Sequence, residues 1–139
     1  MNIDALNEYL NEIKTKPFKW GEHDCLIFTN EAWRRLYGYP WAPEFLGEYM
    51  DGERILRRDE IKAKLLEISG KDTFIKAVDD KLQRYNGIPP RGALLLSKAA
   101  GRWVIGGALG ICVGTHGAFI SWSGVVYLPL SDTDKAWVE

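Results

Sequence analysis

The chain is poor in the residues that most enzyme chemistry draws on. Its 139 residues include only two histidines and two cysteines: His23, His116, Cys25 and Cys112. A thiol–imidazole mechanism must be built from that short list. Two cysteines this far apart are weak grounds for a disulfide in a chain with no secretory pattern. No segment approaches the roughly 20 apolar residues of a membrane-spanning helix. The opening Met1-Asn2-Ile3-Asp4 lacks the basic-then-apolar plan of a signal peptide, so the expectation is a chain made in the cytoplasm. The net charge of -1 offers no broad basic surface, which makes nucleic acid a poor partner. No lysine follows Gly106-Gly107 or Gly114 at the spacing of a phosphate loop.

What is present is an ordinary globular composition, 46% hydrophobic and 27% charged, long enough for a single domain over residues 1–139. Ile3, Leu6, Tyr9, Leu10 and Ile13 recur at helical spacing, and Lys16-Pro17 ends that helix. After a polar turn over 18–24, Asp24 is well suited to cap a second helix from Cys25 to Tyr37, with Gly38 as its C-cap. Leu26, Ile27, Phe28, Ala32, Trp33 and Leu36 mark that helix as the buried central one. Residues 39–52 read as an aromatic loop, Arg54 to Ile68 as one charged surface helix and Asp72 to Arg84 as another.

Beyond Asn86-Gly87-Ile88-Pro89-Pro90 the pattern changes to short apolar runs joined by glycine. Strands are expected over 92–97, 103–105, 108–113, 118–122 and 125–130. The short connections predict an antiparallel meander. Helices first and a meander after indicate an α+β fold with the helices on one side of the sheet.

The segment Phe18-Lys19-Trp20-Gly21-Glu22-His23-Asp24-Cys25 places a thiol in the first turn of the buried helix. The helix dipole there favours a thiolate and lowers its pKa, a common mounting for a nucleophile. The other reading makes Cys25 a small buried apolar residue.

An Asp-Cys pair opening a central helix, followed by a small antiparallel sheet, resembles the NlpC family of papain-like cysteine peptidases. In that family a Gly-Asp-leading strand follows the helix, then a strand beginning with the catalytic histidine, then one carrying the residue that orients it. Asp24-Cys25 is similar to the nucleophile position, Gly92–Leu96 to the first strand, Ala108–Gly114 to the second and Ala118–Ser121 to the third. Laid over that pattern, the histidine position falls on Ala108 and the orienting position near Ser121, so both are vestigial. His116 lies eight residues past Ala108 across a hairpin, roughly 20 Å away at about 3.3 Å per residue. His23 is nearer in sequence, but it sits two positions away in a turn, a poor mount for a general base.

The ordered set Phe-x-Trp-Gly-x-x-Asp-Cys, Leu-Gly-Ile-Cys-Val-Gly and a closing Ala136-Trp137 also resembles short phage proteins encoded among tail-tip genes. The resemblance implies a phage or prophage tail-tip or tail-assembly component with a degenerate NlpC-like fold. It would act through contacts with other tail-tip proteins, be made in the bacterial host cytoplasm and then join the virion tail. Peptidoglycan is a second candidate partner, because the alternative is an active peptidoglycan-cleaving peptidase or amidase with Cys25 as nucleophile and His23 or His116 as base. No cofactor is implied. Zinc held by His23, Cys25, Cys112 and His116 is disfavoured, since Cys112 and His116 flank a strand turn rather than a knuckle. Trp41, Phe45, Tyr49 and Trp137 exceed ordinary core need and are either interface anchors or a small aromatic core under the loop.

Overall fold

In the computed structural model, which describes residues 1–101 and 105–139, the first helix opens on Asn2, whose side chain accepts the Ala5 N–H at 3.0 Å. This helix, α1 (Ile3–Ile13), buries Leu6, Tyr9, Leu10 and Ile13 along one stripe. The second, α2 (Cys25–Tyr37), runs from an Asp24 cap to Gly38, which takes the left-handed conformation and returns its N–H to the Arg34 carbonyl. Both ends fall where the capping chemistry of the sequence predicts.

The aromatic loop contains a 3-10 turn, Pro43–Phe45, and leads into a hairpin of β1 (Met50–Asp51) and β2 (Arg54–Ile55). The expected helix over 54–68 is therefore shorter: α3 spans Arg58–Ser69. The next helix, α4 (Phe74–Lys81), also stops early, because Gln83–Arg84 forms strand β3. Strands β4 (Leu94–Ser97), β5 (Ala108–Cys112), β6 (His116–Ser121) and β7 (Gly124–Pro129) form the expected meander. The strand expected over 103–105 lies largely outside the described residues, and Ile105 sits in a turn. A last strand, β8 (Lys135–Val138), inserts between β3 and β4. The six-stranded sheet has the order β3-β8-β4-β5-β6-β7, antiparallel throughout.

Alternation along the strands gives the sheet two faces. Leu94, Leu96, Leu109, Ile111, Ala118, Ile120 and Trp137 join the core beneath α1 and α2. Ala93, Leu95, Cys112, Phe119 and Ala136 form a second cluster on the far face. The fold is thus α+β, with helices packed on one face of an antiparallel sheet.

In the register of the sheet, β5 pairs with β6 at Ile111–Ala118 and Cys112–Gly117, whereas Ala108, Leu109 and Gly110 pair with β4. Gly110 is closely overlain: a Cβ there would meet the Ala118 carbonyl oxygen at 2.5 Å and a Phe119 ring carbon at 2.6 Å. At the edge strand β7, the Val125 N–H is bonded to the Lys14 carbonyl at 3.0 Å, just past the end of α1.

Candidate functional site: the thiol at the start of the buried helix

Cys25 sits at the junction of α2 and β5. Its neighbour Asp24 is extended in backbone and 1% exposed. One carboxylate oxygen accepts the Ile27 N–H at 3.0 Å and so caps the helix. The other accepts the Gly21 N–H at 2.9 Å and the Tyr49 hydroxyl at 2.5 Å. Gly21 has φ 78° and packs against Met50, so the turn needs a residue without a Cβ. Three donors therefore satisfy a carboxylate that burial alone would make costly. Burial, and then the adjoining Asp24 charge, hold the Tyr49 phenol protonated far above its usual range.

The thiol itself is buried and free. Backbone N–H groups of Leu109, Cys25 and Leu26 face the sulfur and favour a thiolate. Burial outweighs them, and with the Asp24 charge it pushes the Cys25 pKa up to about 12. The expected lowering by the helix dipole is reversed, because a helix N-terminus activates a thiol only where the anion keeps some solvation.

Neither imidazole serves this sulfur: among the described residues, no hydrogen bond joins Cys25 to His23 or His116. His23 is buried in the turn before α2, paired through its backbone with Lys19, and its Nε2 has no hydrogen-bond partner among the described residues. Burial first, then the nearby Lys16 charge, lowers its pKa, with Asp24 opposing. His116 is exposed, and its Nδ1 lies 2.9 Å from the Thr115 hydroxyl. It stands opposite Val113, four strand positions past Leu109, or about 13 Å along the sheet.

The two positions read as vestigial do not face the thiol. Ala108 packs into the far-face cluster, whereas Leu109 and Ile111 are the residues of β5 in the core on the helix side. Ser121 shares the parity of Phe119, and its hydroxyl donates to the Gly124 carbonyl at 2.8 Å and closes the β6–β7 turn with Ser123. Cys112 also belongs to the far face, with its thiol near the Pro89 and Gly114 carbonyls. His23, Cys25, Cys112 and His116 are thus dispersed. Among the described residues no three His, Cys, Asp or Glu side chains gather as a metal site.

The four candidate interface aromatics are core. Trp41, Phe45, Tyr49 and Trp137 are each at most 5% exposed. Trp41 Nε1 donates to the Thr29 hydroxyl at 3.1 Å, and the Asn30 side-chain oxygen accepts the Ala42 N–H at 2.8 Å. Two buried polar residues of α2 thereby fasten the aromatic loop to the helix. Trp137 Nε1 donates to Asp79 at 2.7 Å, and the Arg84 guanidinium lies over its ring.

The exposed aromatics lie elsewhere. Trp122, at the β6–β7 turn, is 75% exposed. Its ring meets Phe18 edge-on at 5.1 Å, Phe18 meets Trp20 at 4.7 Å, and Trp20 meets Tyr49 at 6.4 Å. This row of rings runs from the surface to the phenol that holds Asp24.

The family described as "Domain of unknown function (DUF6950)" matches residues 3–138. The chain belongs to it. The match takes in both the Asp24-Cys25 helix start and the final strand, so the DUF6950 domain comprises the helical layer and the whole sheet. Comparison with curated proteins and with solved structures finds no match to this DUF6950 chain. No helix among its described residues is long and apolar enough to cross a membrane.

Proposed function

We propose that this chain is a non-catalytic, NlpC-like module that docks into a phage or prophage tail-tip assembly through protein–protein contacts. The observation that carries the non-catalytic half is the state of Cys25: a buried thiol with its pKa raised to about 12 and no imidazole bonded to it. A nucleophile needs a base within hydrogen-bond reach and a thiolate at working pH. Neither condition is met. The tail-tip assignment rests on the ordered sequence resemblance around Asp24-Cys25, 109–114 and Ala136-Trp137. The docking half draws support from Trp122 and Phe18, since an exposed indole braced by a second ring is the kind of anchor that dominates protein interfaces.

The test pairs chemistry with assembly. Purified chain incubated with peptidoglycan muropeptides should give no turnover. A phage carrying Cys25→Ala should plate as the wild type does, while Trp122→Ala should lower incorporation of the chain into tails. Muropeptide cleavage by the wild type that is lost in Cys25→Ala would overturn the proposal in favour of a cysteine peptidase.

A further inference from the structure

Helix α3 is underpacked for its sequence. Of its apolar residues only Ile61 is buried; Leu65 and Ile68, on the same stripe, are half-buried, and Leu66 is 54% exposed. The stripe does not lie flat on the sheet. It forms one wall of a cavity of about 290 Å³, whose other walls include Leu26, Phe45 and Phe74. At about 30 Å³ per heavy atom, the share of liquid volume one water takes, the space suits roughly ten atoms.

The polar groups at the cavity are already engaged. Tyr49 donates to Asp24. The Thr73 hydroxyl caps α4 by accepting the Lys76 N–H, and Asp72 holds the Lys76 ammonium at 2.9 Å. Glu48 faces Lys64 at 4.0 Å. An occupant rich in amides would leave its own donors and acceptors unpaired there, which is costly. A hydrocarbon would not. On the rim, exposed Lys62 makes no ion pair among the described residues. Lys64 is shared between Glu48 at 4.0 Å and Glu67 at 3.8 Å, so among the described residues Lys62 is the lining ammonium with no carboxylate of its own, beside an apolar interior.

We infer that the cavity between α3, the aromatic loop and α4 is a binding site for a medium-length single-chain amphiphile with an anionic head. The chain lies against Ile61, Leu65 and Ile68, and the head pairs with Lys62. This site is separate from the sulfur of Cys25 and does not depend on whether that thiol is inert.

Sodium decanoate and decyltrimethylammonium are suitable probes, since they share a tail and differ in the sign of the head. In amide-resolved NMR titrations below micelle formation, decanoate should shift resonances of α3, 43–49 and 73–75. It should bind at least tenfold more tightly than the cation, and the gap should narrow with added salt. Lys62→Glu, an exposed change with no packing cost, should reverse the preference. Ile68→Trp should fill the cavity and weaken both probes at least tenfold, with an unchanged far-ultraviolet spectrum. Shifts confined to other surfaces, or a head preference indifferent to Lys62→Glu, would overturn the inference. So would a dimer that Ile68→Trp splits, which would make a second copy the occupant.

Discussion

Replacing Tyr49 with phenylalanine isolates the bond that ties the aromatic loop to the start of α2. The hydroxyl sits 2.5 Å from a carboxylate oxygen of Asp24, and both groups are buried. A hydrogen bond to a charged acceptor contributes about 1.5–3 kcal/mol. Asp24 keeps its bonds from Gly21 and Ile27 after the change, so it is not abandoned, and a loss of about 2 kcal/mol is expected. A domain of this length loses roughly 3–4 °C of melting temperature per kcal/mol, so Tm should fall by about 6–8 °C. Calorimetry and urea unfolding followed by circular dichroism both read this. The decisive control is the double-mutant cycle with Asp24→Asn, where the two losses should fall short of additivity by at least about 1 kcal/mol. A Tyr49→Phe cost that is unchanged in the Asp24→Asn background, or below about 0.5 kcal/mol in the wild type, would refute the reasoning.

With its pKa near 12, Cys25 holds only about one thiolate in ten thousand at pH 8, so iodoacetamide should label it on unfolding and not before; rapid labelling of native protein at pH 6 would contradict its burial. His23 has a folded-state pKa below its unfolded value of about 6.5, so the unfolded chain binds more protons below that pH. Stability should therefore be full above about pH 6.5 and fall as the pH drops through that value, and a titration of urea midpoints should show the slope vanish in His23→Phe. Gly110→Ala should cost about 1–3 kcal/mol, because the added carbon meets backbone oxygen and the Phe119 ring rather than open space; a neutral urea midpoint would mean that β6 gives way more easily than its packing indicates.

The parts of the fold governed by local chemistry could be read directly. Asp24 caps whatever follows it, and Gly38 is suited to the left-handed turn that ends α2, so both boundaries were legible. The meander was legible because its glycine-bearing turns are short. What depended on distant partners was not. Arg54–Ile55 has helical composition but pairs with Met50–Asp51 across Gly52, whose φ of 63° closes the hairpin. Gln83–Arg84 and Lys135–Val138 are too short to signal strands alone; Lys135–Val138 is held by pairing with β4, and Gln83–Arg84 by pairing with it in turn. Residue types alone left the aromatic loop open between interface and core; Thr29 and Asn30, both buried, hold it down as core.

The site was legible in its residues and not in its solvation. An Asp-Cys helix start marks a place where a thiol can be activated, but activation requires that water reach the anion, and side-chain packing from β5 decides that. The assignment of Ala108 to a histidine position followed from aligned spacing. Strand parity instead puts Leu109 and Ile111 on the helix side. A shift of one residue along a strand exchanges its faces, and spacing alone does not reveal which face is which.

The Lys14–Val125 bond has a consequence for how this domain behaves at high concentration. Positions 125, 127 and 129 of β7 turn their backbone outward, away from β6. The first amide is occupied by Lys14 and Pro129 has none, which leaves Tyr127 as the outward donor among these three. A foreign strand seeking to extend the sheet would find a ladder with two of its three rungs missing. Copies of this domain should therefore not pair edge to edge through β7.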